Sequence, residues 1–93
     1  MKRDLIPSSL FLRAVKKALK KNLISPSELE QALSLLQDDM FNHKLKTHKL
    51  HGNLIGSFAS SNNYEIRIIF QIVLQNEKEY ILLETIGNHD EVY

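Results

Sequence analysis

Residues 64–74, YEIRIIFQIVL, set apolar side chains at Ile66, Ile68, Phe70, Ile72 and Leu74. Successive side chains of a strand point to opposite faces, so these five line one face and Arg67, Ile69, Gln71 and Val73 line the other. A strand with one wholly apolar face belongs in a sheet that packs that face against a second layer. The face holding Arg67 is then open, or covered only by loops and by the chain end. QNEK (75–78) has hairpin-turn chemistry, and EYILLETI (79–86) runs back as the next strand.

The second layer is supplied upstream. After RDLI (3–6), a candidate edge strand stopped by Pro7, Ser8 or Ser9 is placed to cap a helix. From Leu10 to about Asn22, Leu10, Phe11, Ala14, Val15, Ala18 and Leu19 form one face, and Arg13, Lys16, Lys17, Lys20 and Lys21 the other. Ser25-Pro26-Ser27-Glu28 combines an N-cap, a proline at the first helical position and a capping box. Leu29, Ala32, Leu33 and Leu36 continue that helix to about Asp38-Asp39. The short NLIS link predicts a helical hairpin. Residues 40–53, MFNHKLKTHKLHGN, read as a loop anchored by Phe41, Leu45 and Leu50; LIGSFAS (54–60) reads as a strand and SSNN as a turn. The expected fold is α+β: residues 1–93 as a single domain, with an N-terminal helical hairpin on one face of a small antiparallel sheet.

Charge is unevenly spread. Residues 1–53 hold ten Lys/Arg against five Asp/Glu, whereas residues 54–93 hold two against six. A basic N-terminal half suits a polyanionic partner, although for the helical lysines alone a solvated helix face is the better account. No cysteine is present, which excludes disulfides and thiolate metal sites. The start, MKRDLIPSSL, lacks the apolar core of a signal peptide, and no apolar run approaches the ~20 residues of a membrane span. A soluble, cytoplasmic protein is expected.

The chemistry-bearing residues cluster. Arg67 sits in mid-strand, where Arg is rarely buried without a partner. Either Glu84 or Glu65 pairs with it, or its guanidinium offers paired donors to an anion such as phosphate. His43, His48 and His51 lie in the basic loop and His89 in the tail, and histidine is the side chain whose proton is exchanged near neutral pH. Three of these imidazoles, His48, His51 and His89, form a weak candidate metal set at irregular spacing. Glu65, two residues from Arg67, projects from the same face; a carboxylate beside a guanidinium stays ionised, as a base or as an ion-pair partner. Tyr93 offers a stacking platform for a base, or a hydrophobic clasp for the terminus. There is no Gly-rich phosphate loop, nucleophile elbow or cysteine nucleophile.

LKTHKLHG (45–52) ahead of a Gly-containing strand, RIIF (67–70) within a strand, and a terminal IGNHDEVY (86–93) follow one another in this order. Together they resemble the RelE/YafQ branch of type II toxin–antitoxin toxins, over nearly the whole chain. The resemblance implies a microbial-ribonuclease-like fold and a metal-independent endoribonuclease without cofactor. Such an enzyme cleaves mRNA in the ribosomal A site by attack of the RNA's own 2′-OH. It implies Arg67 on the transition-state phosphate, His48 or Glu65 as base, His89 as general acid and Tyr93 orienting the substrate. Lys44, Lys46, Lys49 and His51 would hold mRNA or ribosomal RNA. A cognate antitoxin is the implied protein partner, with operator DNA reached only through it. The chain departs from the branch at Ser61, where a further histidine is usual. The same superfamily holds ParE-type gyrase inhibitors, so a gyrase-directed or catalytically inactive partner-binding homologue is the alternative.

Overall fold

The computed structural model describes residues 2–61 and 66–92. In chain order these form β1 (Asp4–Pro7), α1 (Ser9–Lys20), α2 (Pro26–Asp38), a 3₁₀ turn (His43–Leu45), β2 (His48–Lys49), a second 3₁₀ turn (Gly52–Leu54), β3 (Phe58–Ser61), β4 (Ile66–Gln75), β5 (Lys78–Asn88) and α3 (His89–Val92). Among the described residues the strands make one five-stranded sheet in the order β1-β5-β4-β3-β2. Its pairings are antiparallel except at β1, which runs parallel to β5 from Asp4↔Tyr80 to Pro7↔Leu83. The expected antiparallel sheet is therefore a mixed one. β4 already occupies one edge of β5, and the N-terminal strand takes the other before the helices begin.

Local chemistry sets the helix ends. Ser8 caps α1, its Oγ accepting the Phe11 N–H at 3.0 Å and donating to the Glu84 carbonyl at 3.0 Å. α1 ends in a Schellman arrangement: Leu23 N–H donates to Ala18 O, Asn22 N–H to Leu19 O, and Asn22 takes the left-handed φ of 58°. This turns Leu23 back onto the core. α2 starts with the full capping box, Ser25 and Glu28 exchanging bonds of 3.0 and 3.1 Å.

The helix-side core joins Phe11, Ala18, Ile24, Ala32, Leu36, Met40 and Leu45 to Ile66, Ile68, Phe70, Ile81, Leu83 and Ile86 of the sheet. Ile81 and Leu83 lie an even step apart, but Ile86 does not. A β-bulge reconciles them: Ile69 pairs with Thr85 and Phe70 with Leu83, leaving Glu84 as the extra residue of β5. Phe70 stacks on Phe58 with centroids 5.5 Å apart, and Phe41 meets Phe58 edge-on. Leu45 and Leu50 are anchors as expected, whereas Phe41 remains 61% exposed.

The opposite face carries a second, small core of Leu50, Ala59 and Ile69, against which Leu54 and Val92 pack. α3 thus lies on the face of Arg67.

Three expectations change. His48–Lys49, read as loop, pairs with β3. Residues 54–57, read as strand, form a turn, because Gly56 takes φ 94°, far from the extended region. SSNN does not begin at the turn, since Ser60 and Ser61 are strand residues, and residues 62–63 lie outside the described chain. The hairpin at 75–78 is as read, a two-residue turn with positive φ at Asn76 (50°) and Glu77 (65°).

Two substitutions probe these features by urea denaturation. Ser60 Oγ is fully buried and has no hydrogen-bond partner among the described residues. Ser60→Ala removes that desolvated hydroxyl and is expected to stabilise by about 1 kcal/mol. Glu77→Gly relieves a left-handed non-glycine residue and is expected to stabilise by about 1 kcal/mol.

Candidate active site

In antiparallel pairs directly opposed residues share a face. One row across the sheet reads His48↔Ala59↔Ile69↔Thr85, and a parallel row two residues along reads Ser61↔Arg67↔Gly87. His48, Ile69 and Arg67 therefore stand on the same face, away from the helices. Strand spacing of about 4.8 Å and a rise of about 3.4 Å per residue put the His48 and Arg67 Cα atoms about 12 Å apart. Gly87, opposite Arg67, raises no side chain beside the guanidinium stem. Arg67 is half-buried, and its Nη1 donates to the Ile66 carbonyl at 3.2 Å.

His48 is exposed on the edge strand, and its Nδ1 lies 3.1 Å from the Lys46 carbonyl. Lys46 presents that carbonyl from a left-handed conformation, φ 51° and ψ 39°, at the end of the first 3₁₀ turn. A carbonyl only accepts, so in the neutral imidazole this contact puts the proton on Nδ1. Nε2 then keeps its lone pair and is able to receive a proton.

His89 follows Asn88, which pairs with Ile66 beside Arg67, and it opens α3. Because α3 sets Val92 on Leu50, Ala59 and Ile69, the segment starting at His89 passes over the face that holds Arg67. His48 and His89, read as loop and tail residues, thus belong to a strand and a helical turn. Glu65 and Tyr93, two further expected site residues, lie outside the described chain.

The expected RNA-binding residues separate. Lys44 and Lys46 are exposed in the segment beside His48, and His51 is exposed at the entry to the second 3₁₀ turn. Lys49 is exposed too, but its pairing with Phe58 puts it on the opposite face from His48. The Glu84 carboxylate, one expected partner of Arg67, accepts a 2.6 Å hydrogen bond from Ser57 Oγ. The ion pairs Arg3–Glu79 at 3.0 Å and Lys78–Asp4 at 2.9 Å gather at the hairpin end of the sheet, remote from Gly87. There the hydrogen bond and charge of Asp4 hold the Lys78 ammonium above the ordinary lysine range. A groove of about 460 Å³ between α1 and β5 borders the site at Gly87, with Arg13 and Lys17 on its rim. Among the described residues no three His, Asp or Glu side chains gather as a metal set, and no helix is long and apolar enough to cross a membrane.

Sequence reasoning passed over Gly87, Leu54 and Val92. The signal for Val92 was its spacing: it lies three residues after His89, one helical turn along.

Neither a family model nor a curated protein matches the sequence. Solved structures do. YafQ from E. coli strain BL21(DE3) superposes with a TM-score of 0.78 at 20% identity, covering 99% of both chains. The E. coli DinJ–YafQ toxin–antitoxin complex gives 0.76 at 21% identity over 100% of this chain and 99% of that one. This chain has the fold of the YafQ-like toxins. A YoeB/ParE toxin from Agrobacterium tumefaciens matches at 0.74 with 10% identity, over 92% of this chain and 98% of that one.

The tautomer is open to direct test. Imidazole ¹⁵N spectra of the neutral protein are expected to show His48 protonated at Nδ1 and bare at Nε2. Substituting the flanking residues without moving the Lys46 carbonyl should leave that pattern intact.

Proposed function

We propose that this chain is the toxin of a type II toxin–antitoxin system and acts as an endoribonuclease on mRNA in the ribosomal A site. The observation that carries the reading is the sharing of one sheet face by Arg67, the His48 strand and the segment that His89 opens. The YafQ-like fold supports it, and the DinJ–YafQ complex supports an antitoxin as partner.

In this reading His48 Nε2 takes the proton of a ribose 2′-OH. The resulting oxygen attacks the adjacent phosphorus, and the P–O5′ bond breaks on the opposite side. His89 delivers a proton to the departing 5′ oxygen. The products are a 2′,3′-cyclic phosphate and a free 5′-OH, so atoms and protons balance. Arg67 meets the charge that develops on the pentacoordinate phosphate, from a strand that does not have to move. Glu65 is the second candidate base and Tyr93 a stacking residue for the substrate. Lys44, Lys46 and His51 hold phosphates beside the site, and Lys49 reaches RNA from the other side of β2. Binding through these cations weakens steeply as salt rises.

Expression from a tightly controlled promoter is the test. The wild type is expected to arrest growth and cut mRNA on programmed ribosomes. His89→Ala and Arg67→Ala are each expected to slow single-turnover cleavage by about 10²–10⁴-fold. Intact mRNA during arrest, with DNA damage in its place, would overturn the ribonuclease reading in favour of gyrase.

A further inference from the structure

The two imidazoles ride on the weakest elements of the fold. β2 is a two-residue edge strand, and α3 is a single turn. A lone helical turn does not hold itself in water, since nucleation fixes several residues for one hydrogen bond. Packing contributes to its position. Val92 of α3 packs into the second core, and one turn separates it from His89. Leu50 belongs to the same core, lies two residues beyond His48 and anchors its backbone by donating its N–H to Ser57 O at 3.0 Å. The floor beneath both is Ala59 and Ile69, at 0% and 1% exposure. These are the residues opposite His48 in its own row, and Ile69 is two along β4 from Arg67. One apolar cluster thus ties the His48 strand and the His89 turn to the strand that bears Arg67.

We propose that Val92 is a positioning residue: by seating on Leu50, Ala59 and Ile69 it holds His89 over the face shared by His48 and Arg67. Val92 touches no reacting atom in this arrangement. The large helix-side core does not include it, so its loss is expected to leave the domain folded while the His89 segment loses its apolar seat. Misplacing a catalytic group by about 1 Å is enough to cost about 10²-fold in rate. The catalytic consequence rests on the ribonuclease reading; the placement of His89 does not.

The test uses the full chain as wild type, Val92→Ala and Val92→Ile. Urea denaturation is expected to show nearly unchanged midpoints. Single-turnover cleavage on programmed ribosomes is expected to fall about a hundredfold in Val92→Ala with little change in KM, and to recover in Val92→Ile. A second readout is independent of activity: inorganic phosphate titrated into the protein while imidazole ¹⁵N signals are followed. In the wild type His48 and His89 are expected to respond with one shared affinity. In Val92→Ala the His89 response is expected to vanish while that of His48 persists. Wild-type cleavage by Val92→Ala, or an unaltered His89 response in that variant, overturns the proposal. So does the lack of any phosphate response in the wild type. A wild type that binds phosphate in this way but cuts no RNA refutes the ribonuclease reading and leaves the positioning role standing.

Discussion

The pairing of β4 with β5, bulged at Glu84, is the constraint on which the other features depend. These two strands form the centre of the sheet, and their register decides which residues face which layer. A regular ladder would send Ile86 to the open face once Ile81 and Leu83 had been given to the helices. The extra residue restores all three to the helix side. It also brings Gly87 opposite Arg67, so the helix-side core and the Arg67 face are settled by the same irregularity. Glu84 itself is tied down at the bulge: its carbonyl takes the Ser8 hydroxyl and its carboxylate takes Ser57. The N-terminal cap of α1 and the approach to β3 are therefore anchored at one point of β5.

The two cores have different sizes and different consequences. The helix-side core is broad and includes side chains with no exposure, among them Leu36, Ile66, Ile68 and Phe70. Close packing of this kind resists displacement, which gives Arg67 a rigid mount. The second core is a few side chains that hold short elements at the edge and the end of the chain. Regions held by few buried contacts open at low free energy. A face built this way sets Arg67 on a strand of the large core and the His48 and His89 segments on the small one.

Similarity to YafQ at 20% identity over nearly full length fits this division. Cores accept many apolar combinations when volume and pattern are kept. In this chain the order of apolar runs, caps and turns specifies the layers without fixing many particular residues.

Much of this was legible in the linear pattern because it rests on local chemistry. The alternation along β4, the Ser25–Glu28 capping box, the 75–78 turn and the placing of Arg67 on the face away from the helices follow from periods of 2 and 3.6 and from side chains bonding nearby backbone. Helix boundaries emerged within two residues for the same reason. What depends on distant partners had to come from the tertiary structure. The parallel pairing of β1 is one case, since nothing in RDLI records which edge it will meet. The strand character of His48 is another, because two residues carry no period and acquire a face only when β3 lies beside them. The bulge at Glu84 and the seating of Val92 on Leu50, Ala59 and Ile69 belong here too. Each is a choice among conformations of similar local energy, and only burial against residues far along the chain separates them.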